Sequence, residues 1–174
     1  MKTHSLLLAV SIAALSACGS SPAPAPSQAA PAAPASTAAR VAPEFELKDV
    51  NGATVHLSDS KGTVRLVDFW TTWCAPCREE IPTFKALHAA YAGKGFTIVG
   101  IAMDDEGASK VKPFVDENQI PYLTLIGSEP VANAFGGVVG FPTKFLLDRD
   151  GKIVESWIGP VPRAVLEQKI QSLL

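Results

Sequence analysis

Three cysteines in 174 residues are too few for a disulfide-stapled scaffold. Histidine is equally scarce, at three. A structural zinc site wants four ligands, and with no second cysteine pair the cysteines could draw only on the few histidines, which disfavours one. Charged residues make up only 18%, with a net charge of −2 and no basic run, so the sequence gives no sign of a nucleic-acid partner. The longest apolar stretch, Leu6 to Leu15, is too short to serve comfortably as a permanent membrane span.

What the N-terminus does contain is an export pattern. Lys2 and His4 precede the apolar stretch, which ends in Leu15-Ser16-Ala17-Cys18. A positive start, a short apolar core and small residues at the end predict a signal peptide over residues 1–17. The last four residues resemble a bacterial lipobox, in which Cys18 receives lipid and becomes the new N-terminus. The alternative is an ordinary signal cut after Ala17, with Cys18 left as a stray thiol. Residues 18–42 are mostly Ala, Pro and Ser, with no periodic apolar face, and read as a disordered tether. The folded domain is expected over 43–174.

Within it, Phe45-Glu46-Leu47 and Thr54-Val55-His56-Leu57 flank Asn51-Gly52 as a β-hairpin. Val64 to Trp70 is a nearly continuous apolar run, as in a buried central strand, interrupted by Asp68. A helix is expected from about Cys74 to Gly93, on the spacing of Ile81, Phe84, Leu87 and Tyr91, with Pro82 inside it. Further strands are expected at Phe96–Met103, Tyr122–Ile126, Thr143–Leu147 and Ile153–Trp157. Helices are expected after Ser109 as cap, at Ser128–Phe135, and at the end through Leu166, Ile170 and Leu173. Strands alternating with helices, then a late hairpin, predict an α/β fold with a mixed sheet covered on both faces.

Cys74 and Cys77 are spaced as Cys-x-x-Cys at a strand-to-helix junction. A bridge across so short a loop stabilises little, so its purpose is chemical. The helix N-terminus offers unpaired N–H groups and the positive end of the dipole, both favouring thiolate at Cys74. Cys77 sits one turn behind, placed to resolve a mixed disulfide, and Pro76 stiffens the loop. Covalent haem attachment needs His after the second cysteine, where Arg78 stands. A cysteine hydrolase needs a neighbouring base, and His88 lies about 16 Å farther along the same helix. Asp68 reads in two ways: as an edge aspartate facing water, or as a buried acid able to take the Cys77 proton during resolution.

Val67-Asp68-Phe69-Trp70, Trp73-Cys74-Ala75-Pro76-Cys77 and Pro82 together resemble thioredoxin, and Gly140-Phe141-Pro142-Thr143 resembles its cis-proline loop. The resemblance implies a three-layer thioredoxin-like sandwich, a cis Pro142 beside the dithiol, and a partner strand docked there. It places Trp73, Pro76, Phe141 and Pro142 at the partner-binding surface. Arg78-Glu79-Glu80-Ile81-Pro82, the N-terminal hairpin and an added helix and strand between Met103 and Gly127 are similar to the TlpA/ResA-like branch. That branch implies an exported reductant or disulfide carrier, some members serving cytochrome c maturation, and a membrane electron donor of the DsbD/CcdA type. It also implies an acid after the third strand, a place open to Asp105 or Glu106, which read equally well as an exposed acidic loop. Thioredoxin's lysine partner for the buried acid would fall near Gly100, so Asp68 is expected to lack a cation and to be easily protonated.

The function expected is reduction of disulfides in exported proteins, with no cofactor beyond the redox-active disulfide and no metal. Alternatives are a disulfide-inserting oxidase and a dithiol copper chaperone. A peroxidase of the same fold would carry Pro where Val67 stands, four residues before Thr71.

Overall fold

The apolar run Val64–Trp70 is the centre of the molecule, and all seven of its residues are buried. The computed structural model describes residues 40–174. The expected signal, Cys18 and nearly all of the tether lie outside the described residues. The described chain runs Arg40–Val41 (β1), Glu46–Asp49 (β2), Thr54–His56 (β3), Val64–Trp70 (β4), Ala75–Tyr91 (α1), Phe96–Ala102 (β5), Ala108–Glu117 (α2), Leu123–Ile126 (β6), Glu129–Ala134 (α3), Thr143–Leu147 (β7), Lys152–Ile158 (β8) and Arg163–Leu173 (α4).

The strands form one eight-stranded mixed sheet in the order β1-β8-β7-β4-β5-β6-β2-β3. β4, β5 and β6 are parallel neighbours, and the remaining pairings are antiparallel. Two right-handed crossovers in the same direction along a sheet put both connecting helices on one face. Accordingly α1 and α2 share a face with α4, where Ile81, Phe84, Leu87, Val111, Val115, Leu166 and Ile170 pack on Val64, Leu66 and Trp70. On the other face Ala132 and Phe135, in and just after α3, pack on Val67 and Phe69. Phe69, Phe135 and Phe145 make edge-on or tilted ring contacts there, with centroids 5.1–6.0 Å apart. The sandwich therefore has three layers, as expected, with most of its helices on one side.

Two local expectations need correction. The sheet takes in Arg40 and Val41, which pair with β8, so ordered structure begins before residue 43. Ser109 does not cap α2: the cap position is Gly107, at φ 57°, and the Ser109 hydroxyl donates to the Glu106 carbonyl instead. A left-handed φ there suits glycine and no L side chain.

Candidate active site

Parallel β4 and β5 end side by side, and the site is built at these carboxyl ends. The chain leaves β4 at Trp70, whose carbonyl accepts the Met103 N–H at 2.8 Å. It turns through Thr71 to Trp73 and enters α1 with Cys74 as N-cap. Asp104, just past β5, fixes this turn. Its carboxylate is buried and accepts both the Thr72 N–H, at 3.0 Å, and the Thr72 hydroxyl. The Cys74 N–H donates back to the Thr71 carbonyl at 3.3 Å.

Cys74 and Cys77 are joined as a disulfide with Cα atoms 5.3 Å apart. Both are nearly covered. Cys74 Sγ accepts the Cys77 N–H at 3.2 Å. That N–H and the N-terminal end of the helix dipole both point at Cys74 Sγ, where they offset part of the negative field of the buried acids. Pro76, the second residue of α1, needs no N–H partner in that first turn.

Behind the dithiol lies a buried cluster of charge. Asp68 is on the α1 face of β4, in step with Leu66 and Trp70. It pairs across to Gly100 on β5 and to Lys144 on β7. The missing cation is thus supplied from the other neighbouring strand: Lys144 Nζ, fully buried, lies 3.7 Å from Asp68 Oδ1. The expectation that Asp68 lacks a cation is corrected by this pairing. Glu80 belongs to the buried stripe of α1, one turn past Cys77. Its Oε2 lies 2.6 Å from Lys144 Nζ, and its Oε1 accepts the Val161 N–H at 2.9 Å. Neither Asp68 Oδ1 nor Glu80 Oε2 has a hydrogen-bond partner.

Desolvation pushes the Asp68 carboxyl up to about 7. Lys144 opposes the rise, and neighbouring Glu80 adds to it. Burial raises Glu80 as well, against the pull of Lys144 and the Val161 N–H. Tyr122 is raised by burial and by both acids. Two acids around one ammonium can together release only part of their protons at neutral pH. A carboxyl raised toward neutrality on the α1 face of β4 is suited to accept and return a proton.

The rim is apolar. Trp73 is 68% exposed and its ring meets Phe141 edge-on, with centroids 6.0 Å apart. The Phe141–Pro142 peptide is cis, and the Pro142 carbonyl accepts the Gly159 N–H. Trp73, Met103, Val138 and Phe141 line a cleft of about 330 Å³, with Asp105 and Glu129 contributing acidic groups. Asp105 and Glu106 are both exposed, and only Asp105 lines this cleft. The buried acid after β5 is Asp104, which the sequence reading did not single out, nor did it single out Lys144 or assign Glu80 a role. Among the described residues, no group of three or more His, Cys, Asp or Glu side chains comes together as metal ligands.

A model of the AhpC/TSA family matches residues 38–156. The chain is 34% identical over 130 residues to the thioredoxin-like protein YneN of Bacillus subtilis (strain 168), covering 74% of this chain and 76% of that one. It is 34% identical over 132 residues to the thiol-disulfide oxidoreductase ResA of Bacillus anthracis, covering 76% of each. A solved thiol:disulfide interchange protein of the thioredoxin family from Chlorobium tepidum TLS is similar at a TM-score of 0.71 and 31% identity, covering 80% of this chain and 99% of that one.

Proposed function

We propose, for a chain that belongs to the AhpC/TSA family and is a thiol–disulfide oxidoreductase of thioredoxin-like fold, that it works outside the cytoplasm as a reductant of disulfides in exported proteins. Export and a lipid anchor at Cys18 are supported by the N-terminal pattern of charge, apolar core and lipobox. The reducing direction is supported by charge. Asp68 in β4, Glu80 in α1 and Asp104 just past β5 are buried acids, against the buried ammonium of Lys144. Negative surroundings oppose thiolate formation and so disfavour the reduced pair, which makes it a stronger donor.

The reaction runs in two exchanges. The Cys74 thiolate attacks a sulfur of the partner's disulfide; an S–S bond forms to Cys74, and the partner's second sulfur leaves as a thiolate that takes a proton from solvent. The Cys77 thiol then gives its proton to the Asp68 carboxylate and attacks Cys74 Sγ. The Cys74–Cys77 bond forms, the partner's first sulfur leaves, and two electrons have passed to the partner. Trp73, Phe141 and the Pro142 loop seat the partner strand. A membrane dithiol donor of the DsbD/CcdA type returns the electrons.

The observation that carries this reading is the Cys74–Cys77 disulfide at the N-terminus of α1, with Asp68 buried in the strand that leads into it. Its test is the reduction potential of the couple, equilibrated against glutathione or dithiothreitol. A value near or below about −250 mV supports the reductant; a value near about −120 mV means disulfide insertion instead.

A further inference from the structure

Lys144 is the unexplained member of the cluster. It stands in β7 among Thr143, Phe145, Leu146 and Leu147, all buried, where a leucine would satisfy packing. Burying an ammonium costs several kcal/mol unless its protons are matched. The structure matches them: Glu80 Oε2 at 2.6 Å, the Gly159 carbonyl at 3.2 Å and Asp68 Oδ1 at 3.7 Å. The Phe84 ring lies 5.7 Å from Nζ.

The two acids are held unequally. Glu80 has the close contact with Lys144 and a backbone N–H from Val161. Asp68 has the longer contact and no backbone N–H of that kind. The other groups facing the cluster are few. α1 brings Cys77 as well as Glu80, and Tyr122 lies ahead of β6 with His88 against its ring. β5 brings only Gly100 opposite Asp68, and β8 brings Trp157 opposite Lys144.

We propose that Lys144 is a positioning residue for the exchange reaction: by holding Glu80 ionised, it assigns the cluster's one mobile proton to Asp68 and makes Asp68–Lys144–Glu80 a store for the proton that Cys77 exchanges. The proton balance is closed. When Cys77 attacks Cys74, its proton moves to Asp68, and the cluster passes from a net charge of −1 to zero. When a donor dithiol attacks the Cys74–Cys77 bond at Cys74, Cys77 leaves as a thiolate and takes that proton back. The oxidised protein therefore carries the proton between the two half-reactions.

The inference rests on the dithiol-exchange reading and is tested on the full chain. Redox-difference infrared spectra at pH 7 should show the carbonyl stretch of one protonated carboxyl in the oxidised protein, absent after reduction and absent from Asp68→Asn. In Lys144→Met the two acids lose their shared cation, so a protonated carboxyl persists in both redox states. Its resolving step, read by single-turnover kinetics, should slow about tenfold or more at pH 7 relative to the first attack, with the pH profile displaced upward. An unmoved profile in folded Lys144→Met overturns the proposal. So does a wild-type difference spectrum without a redox-linked carboxyl, which decides the matter even where the variant does not fold. Failure of the exchange reading shows separately, as absence of any mixed disulfide on Cys74.

Discussion

Asp68→Asn should change how the stability of the oxidised protein depends on pH. An unfolded aspartate titrates near about 3.9, and the buried one is pushed up to about 7. The folded state therefore keeps a proton that the unfolded state has released. Its contribution is fully present below about pH 4, declines as pH rises, and is lost above about pH 7. The interval spans about three decades of proton affinity at about 1.4 kcal/mol each, for a total of about 4 kcal/mol. Asparagine does not titrate, so the variant lacks this decline. Urea unfolding of both proteins between about pH 4 and 8 should show the stability of Asp68→Asn relative to wild type growing by about 2–4 kcal/mol across that range. Any constant offset from the lost Lys144 pairing drops out of the slope. Curves that run parallel to within about 0.5 kcal/mol would refute the assignment of a neutral-range carboxyl to Asp68.

Two further outcomes follow from named contacts. Asp104→Ala removes the acceptor of the Thr72 N–H and hydroxyl; with both left unpaired, stability should fall by about 2–3 kcal/mol in urea unfolding, and Cys74 should react more slowly with a small disulfide. Trp73→Ala removes a side chain that is 68% exposed and touches Phe141 edge-on, so the loss of stability should be about 1 kcal/mol or less, while reduction of a protein disulfide should fall more than reduction of a small one.

Much of this site could be read in the sequence because its signals are local. Cys74 and Cys77 declare themselves by spacing, β4 by its apolar run, and α1 by the period of Ile81, Phe84 and Leu87. Glu80 was within reach of the same periodicity, since it falls on the buried stripe one turn past Cys77. Lys144 was not, because what brings it to Asp68 is the register of β7 against β4, a pairing between segments far apart in sequence. A central strand has two neighbours, and β5 offers only Gly100 at that level. The available hint was a lysine directly before the apolar run Phe145 to Leu147. In Asp104-Asp105-Glu106 the outcome depends on where β5 ends: with Ala102 as its last residue, Asp104 turns inward and the other two reach solvent. Three consecutive acids carry no periodicity to decide that. Likewise Ser109 looked like a cap by residue type, but the backbone turns one residue before α2 begins, at Gly107.

If Cys74 attacks and Cys77 resolves, removing Cys77 traps the mixed disulfide. The reduced full chain carrying Cys77→Ser is mixed with a disulfide-bonded peptide, quenched in acid and mapped by mass spectrometry. A persistent peptide adduct is expected on Cys74, and none on Cys77 in the matching Cys74→Ser protein. No adduct on Cys74, or an adduct on Cys77 formed as fast in Cys74→Ser, would contradict it.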